Sequence, residues 1–203
     1  MWTLYARPFR RNLTDVFDYD RKTAKAVVKK AKLKYKEILK TIPDFEKGDC
    51  FRLNIVSAAM LGAVVLSMKE RPSVSVLTRF YEKAMMTGMT KFFCRMSAKI
   101  KYTEKDVSRM KKTAVRKAGD RNPYSWNMDF LPYPDGSGYE TRFTKCGICH
   151  LMNELGLYNL TPALCHFDYA MSEAGGKTDF VRENTLASGG PYCDCGYKKK
   201  NRK

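Results

Sequence analysis

The sequence predicts an α+β fold: a helical N-terminal half packed on a C-terminal antiparallel sheet of about four strands with two inserted helices. Three observations carry this. Apolar residues recur at three- and four-residue steps through the first 120 residues. From Tyr124 the period changes to alternation. The alternating runs come in two pairs around a helical stretch, which favours hairpins over a parallel βαβ arrangement.

In residues 21–42, Ala24, Val27, Val28, Ala31, Tyr35, Ile38 and Leu39 form one helical stripe, Leu33 falls off it among lysines, and Pro43 stops the helix. A second helix is expected over 47–68. It contains the longest apolar run, residues 53–68, whose 16 residues include Asn54 and two serines. That is short of the roughly 20 residues a membrane span needs, so a buried helix is expected. Pro72 opens a third helix with Val76, Leu77, Phe80, Tyr81 and Ala84 on one face, and Gly88 interrupts it before Phe92, Phe93 and Met96. Thr103 with Asp106 starts a fourth, through Val107, Met110 and Val115 to about Gly119. Tyr124, Trp126, Met128 and Phe130 then alternate with polar residues, as do Tyr139, Thr141 and Phe143. The Pro/Gly-rich loop between them makes a hairpin. Residues 146–155 read as a helix capped by Gly156, and Thr161-Pro162 start another through Ala174. Strands are expected over 178–187 and 192–197. The domain reading is a helical region 1–120 and a β-β-α-α-β-β region 121–203, forming one compact unit because no connector is long or polar.

A chain of 203 residues, 44% of them hydrophobic, can bury a core and is not disordered. The N-terminal MWTLYARPFRRNL has no apolar h-region or small-residue cleavage site, which points to a cytoplasmic, reducing setting and to seven cysteines kept as thiols. The net charge of +17 is large, with nine cations in residues 21–40 and a basic run at 198–203. Nucleic acid is a partner such charge admits. No recognised nucleic-acid motif accompanies it, so a solvated helix face with a basic tail is preferred, and neither a membrane partner nor a cofactor is expected.

The chemistry concentrates in the last 58 residues, which hold five cysteines and both histidines: Cys146, Cys149, His150, Cys165, His166, Cys193 and Cys195, with Asp168 and Asp194. The stretch CGICH matches the c-type haem pattern, which the compartment disfavours. As a zinc half-site, Cys146 and Cys149 would need Cys165 or His150 and one of the final cysteines, and Cys193-x-Cys195 on a strand splays poorly onto one ion. As a redox dithiol it lacks a parallel β-α-β unit. Cys193 and Cys195 face one side of their strand and Asp194 the other. Cys165 and Asp168 share a helix face. Cys50 and Cys94 are expected to be buried as small hydrophobes.

Residues 143–197 resemble the C-terminal signature of the L-2-amino-thiazoline-4-carboxylic acid hydrolase family. The matching residues are Cys146 after a strand, Leu164-Cys165-x-x-Asp168, the turn Thr185-Leu186-Ala187-Ser188-Gly189 and the closing Cys193-Asp194. Cys195 stands where the pattern has an aromatic, and His150 and His166 are not part of it. The resemblance implies hydrolytic opening of a 2-amino-thiazoline-4-carboxylate, or a related small carboxylated substrate, to an N-carbamoyl-cysteine product. It implies Cys165, Asp168, Cys193 and Cys146 as catalytic candidates. Asp168 would orient water or act as base, and a cysteine beside cations or a helix N-terminus would serve as nucleophile. Arg142, Arg182 and Asp194 are the substrate-binding candidates, the arginines as forks for a carboxylate. The alternative is a non-catalytic small-molecule- or zinc-binding module, supported by a fainter similarity to binding domains of the vinyl-reductase and vesicle-trafficking type.

Overall fold

The computed structural model describes residues 1–200; the end of the basic tail, 201–203, lies outside the described residues. The class is α+β. The helices are α1 Trp2–Phe17, α2 Arg21–Thr41, α3 Arg52–Val65, α4 Val74–Met85, α5 Gly88–Ile100, α6 Glu104–Ala118, α7 Gly147–Glu154, α8 Pro162–Cys165 and α9 Phe167–Gly175. The strands are β1 Asn127–Pro132, β2 Gly138–Lys145, β3 Thr178–Val181 and β4 Cys193–Lys199. They form one antiparallel sheet in the order β1-β2-β4-β3. No helix among the described residues is long and apolar enough to cross a membrane.

The chain forms two compact units that interleave in sequence, one of Met1–Thr87 with Gly147–Phe167 and the other of Gly88–Cys146 with the described residues from Asp168 on. In the first, α2 starts where Asp20 accepts from the Lys22 and Thr23 amides at 2.8 and 3.0 Å. Its buried stripe is Ala24, Val27, Ala31, Tyr35 and Ile38, and Leu33 is exposed, as the periodicity predicts. The apolar run of α3 is buried from Ser57 to Val65, so this helix is the centre of the unit and needs no polar face. A Cβ at Gly62 would stand 2.7 Å from Leu155, which is why a glycine sits where the segment after α7 closes on α3. Phe9 meets Phe80 edge-on at 5.4 Å, and Tyr81 meets Phe167 at 5.3 Å. The second helix starts at Arg52 rather than residue 47. Gly48 is left-handed, and Asp49 accepts from the Phe51 amide at 2.8 Å to set the turn. Cys50 lies in that turn and is exposed, and Cys94 is half-buried, so neither is the buried hydrophobe expected.

The break expected at Gly88 is present: α4 ends at Met85, and in the second unit Gly88 opens α5, which carries Phe92, Phe93 and Met96. Thr103 caps α6 as expected, yet the buried side chains of α6 are Asp106 and Lys117, while Val115 is 80% exposed. Two buried charges displace the apolar stripe because each is fully engaged. Asp106 accepts from Arg109 at 2.6 Å and from the Tyr139 hydroxyl at 3.0 Å. Lys117 donates to Asp120 at 2.5 Å and to Ser125 at 2.8 Å. The hairpin forms, but β1 begins at Asn127, after a loop in which Asp120 and Asn122 accept from the Asn122 and Tyr124 amides. The strand expected over 178–187 ends at Val181, because the Asp194 carboxylate takes the next backbone amides out of the ladder.

Candidate active site

Pairing places Tyr139, Thr141 and Phe143 of β2 opposite Tyr197, Cys195 and Cys193 of β4, with Phe180 of β3 opposite Tyr197. By alternation these residues share one sheet face. Phe180, Cys193 and Cys195 form a buried cluster there, with Phe143, Tyr169, Leu186 and Tyr197 packed around it.

Beside this cluster, Arg182 Nη1 donates to Asp168 Oδ2 at 2.8 Å. Arg182 follows β3 and Asp168 lies in the first turn of α9. The guanidinium is 7% exposed and the carboxylate side chain 34%. Phe180 and Tyr169 lie 5.3 and 5.4 Å from the guanidinium carbon, and the Tyr169 hydroxyl donates to the Arg182 carbonyl at 3.4 Å. The fork is therefore held by two rings and one carboxylate.

Desolvation raises the proton affinity of Asp168 from its ordinary value, against the pull of Arg182 and Lys101, although about a third of its side chain stays exposed. Burial also raises the Cys193 thiol; the Leu186 amide, donating to its sulfur at 3.3 Å, opposes this. Cys146, Arg182 and Asp168 all act on Cys193, which places these groups in one electrostatic neighbourhood. Cys195 is driven well above its ordinary value by burial and next by Asp168. Cys193 and Cys195 are accordingly neutral thiols at pH 7. The signature turn acquires a physical role here. Thr185 accepts from the Ser188 amide at 3.1 Å and closes the single 3-10 turn Leu186–Ser188, and that turn aims the Leu186 N–H at Cys193.

Sequence reasoning did not find Lys101. This residue follows α5, and its Nζ sits 3.5 Å above the Tyr197 ring and 5.9 Å from the rings of Tyr102 and Tyr139. Tyr102 holds the turn in a left-handed conformation at φ 67. Its amide donates to Asp106 at 2.9 Å, and its hydroxyl lies 2.9 Å from that of Thr178. A non-glycine residue at such a φ persists only where its surroundings over-determine it. Burial lowers the Lys101 pKa to about 8, although Asp106 and Asp168 pull the other way. The signal that was available is the helix start at Thr103, which fixes a short turn before it, but one lysine in so basic a chain carries no mark.

The candidates divide. Asp168, Arg182, Cys193 and Cys146 come together, and Cys195 and Lys101 join them. Arg142 and Asp194 are cross-strand partners on the opposite sheet face. There Arg142 pairs with Glu140 at 2.8 Å and lies 4.4 Å from the Tyr192 ring. Asp194 accepts from the Glu183 and Asn184 amides at 3.2 and 2.6 Å, holding the segment after β3. Cys165 closes α8 in the first unit. Among the described residues no group of three His, Cys, Asp or Glu side chains is disposed to hold a metal ion.

No curated protein and no solved structure matches the chain. A family model does, over residues 53–197, which takes in every converging residue from Lys101 to Cys195 and leaves out α1 and α2. Since that match covers well over half of the sequence, the chain belongs to the L-2-amino-thiazoline-4-carboxylic acid hydrolase family.

Proposed function

We propose that the protein hydrolyses 2-amino-thiazoline-4-carboxylate, or a closely related cyclic amidine carboxylate, by opening the ring at its carbon–sulfur bond. The observation that carries this reading is the Asp168–Arg182 pair, in which a carboxylate of raised proton affinity is held against a cluster of uncharged thiols. A carboxylate fixed in this way can take a proton from a bound water and return it to the substrate within hydrogen-bond reach.

Water serves as the nucleophile in preference to Cys193 and Cys195, where burial works against the depressed pKa that a thiolate needs. Asp168 takes a proton from water as its oxygen bonds to the amidine carbon, and passes that proton to the ring nitrogen. The tetrahedral carbon then expels the ring sulfur. Asp168 takes the hydroxyl proton as the urea carbonyl forms and delivers it to the departing thiolate. One water is consumed and the product is an N-carbamoyl-cysteine. Arg182 fixes the carboxylate that moves the protons. Lys101, cationic below its pKa of about 8, holds the substrate carboxylate. The Cys193 and Cys195 thiols, with Phe180 and Tyr197, offer a soft, weakly polar wall to the ring sulfur.

The test is thiol release from the substrate, followed with a chromogenic disulfide. The wild-type chain is expected to turn over. Asp168→Asn should lower kcat by roughly 10²–10⁴-fold; because it takes the carboxylate from the Arg182 guanidinium, 7% exposed, it should also lower stability by about 3 kcal/mol, so its rate is compared at a temperature where circular dichroism shows the variant folded. Saturation of the wild-type chain by the substrate without thiol release would make this a binding module and sink the hydrolytic reading. An unaltered rate in Asp168→Asn would remove Asp168 from the chemistry.

A further inference from the structure

We propose that α1 and α2 form a second binding surface, which takes the phosphate backbone of a double-stranded nucleic acid. The surface lies in the first compact unit, and its α1 and α2 residues are outside those the family match covers. Residues 1–42 carry twelve Lys and Arg against four Asp and Glu.

The deepest part is a cleft of about 1040 Å³, lined by α1, the first turns of α2 and the end of α4. Arg7, Arg10, Arg11, Arg21, Lys25 and Lys83 line it, and Asp15, paired with Arg11 at 3.3 Å, is the acidic residue among the lining side chains. Guanidinium forks match phosphate oxygens in geometry and keep their charge at any physiological pH. From this cleft a row of lysines runs along α2: Lys22, Lys25, Lys29, Lys32, Lys36 and Lys40, each exposed. Steps of three and four residues keep them on one helix face. At 1.5 Å per residue the row is about 27 Å long, the length of about eight base pairs at 3.4 Å each.

The shape selects among polyanions. A compact polyphosphate would use the cleft and leave the row idle. Single-strand binding relies on aromatic platforms for the bases, and no aromatic side chain is among those lining the cleft. A lipid surface needs an exposed apolar helix face, whereas the apolar face of α2 is buried through Ala24, Val27, Ala31, Tyr35 and Ile38. Protein interfaces are depleted in lysine. A regular row of one sign fits the regular charge of a double helix.

The test is fluorescence anisotropy of a labelled 24-base-pair DNA duplex, titrated with the full chain between 50 and 200 mM NaCl. Six neutralised phosphates predict a slope of log K on log salt of about −5, a loss of roughly 10³-fold across that range. Lys25→Ala/Lys29→Ala/Lys32→Ala should make the slope shallower by roughly 2.7. Lys105→Ala/Lys111→Ala/Lys112→Ala removes the same charge from exposed positions on α6 and should leave the slope unchanged. Absence of duplex binding at 50 mM would overturn the proposal. So would equal effects of the two triple variants, which would mean diffuse charge attraction. Saturable binding of inorganic tripolyphosphate at one site per chain without duplex binding would also overturn it and assign the cleft to a small polyphosphate. The ring-opening assay is independent of all these outcomes.

Discussion

Replacing Lys101 with methionine should make the protein more stable and a worse enzyme. The ammonium lies half-buried among Tyr102, Tyr139 and Tyr197, and its pKa falls from 10.5 to about 8. At about 1.4 kcal/mol per pKa unit this shift costs the folded state about 3 kcal/mol while the lysine is charged. Contact with the Tyr197 face at 3.5 Å returns about 1–2 kcal/mol. Methionine fills a similar volume without the charge, so Lys101→Met should gain about 1–2 kcal/mol at pH 7 in urea unfolding. The sign follows from proton linkage. Between pH 8 and 10.5 the unfolded chain binds more protons at this position than the folded chain. The wild type therefore recovers stability as pH rises through that window, and the advantage of the variant should fade toward pH 10.5. On the role proposed for Lys101, the variant would lose in the thiol-release assay a charged hydrogen bond to the substrate carboxylate, worth about 1.5–3 kcal/mol. KM should rise roughly 10- to 100-fold with kcat little changed, and wild-type kcat/KM should fall above pH 8 as Lys101 deprotonates. A variant that is less stable than wild type at pH 7, or whose KM is unchanged, would refute the assignment of Lys101 to the substrate.

The remaining predictions concern the thiols and the buried ion pair. At pH 7.5 in the native state, iodoacetamide should label exposed Cys50 readily and leave buried Cys193 and Cys195 unmodified by peptide mass spectrometry. Labelling of Cys193 at the rate of Cys50 would instead favour a thiolate nucleophile. Asp120→Asn leaves the Lys117 ammonium, 2% exposed, without its carboxylate and should cost about 3 kcal/mol in chemical denaturation. Burial opposes ionisation of Asp120, but hydrogen bonds from Lys117, Ser125 and the Asn122 amide win and bring its pKa to about 2. Its contribution of about 2 kcal/mol should be present above the ordinary 3.8 and disappear as pH falls through about 2. A wild-type acid transition unchanged by Asp120→Asn would contradict this.

Much of the architecture was legible because it rests on short-range pattern. The α2 stripe and its stop near Pro43, the Thr103 cap, the hairpin and the opposed faces of Cys193 and Asp194 all follow from helical or strand periods. The errors arise where a side chain satisfies a buried polar group at a distance. Val115 reads as core until Asp106 and Lys117 find partners elsewhere in the chain. The strand after residue 178 reads long until Asp194 takes its amides. The site follows the same division. Asp168 and Cys193 come from a compact signature, whereas Arg182 could be matched to Asp168, and Arg142 separated from it, only once the sheet faces were known. Lys101 lies some 40 residues before the signature begins, and only tertiary structure brings it beside Tyr197.

The interleaving of the two compact units governs the order in which a ribosome can finish them. The chain passes from one unit to the other after Thr87, after Cys146 and after Phe167. The first unit must wait, with most of its helices already made, for α7 and α8 to be synthesised beyond two strands that belong to the other. At about 5–20 residues per second the buried surface of α3 goes several seconds before its partners near Leu155 exist. The second unit closes only when β4, near the end of the described chain, pairs between β2 and β3. No single cut in the gene yields either unit whole, and nascent chains arrested before β4 should bind holdase chaperones and show no ring opening.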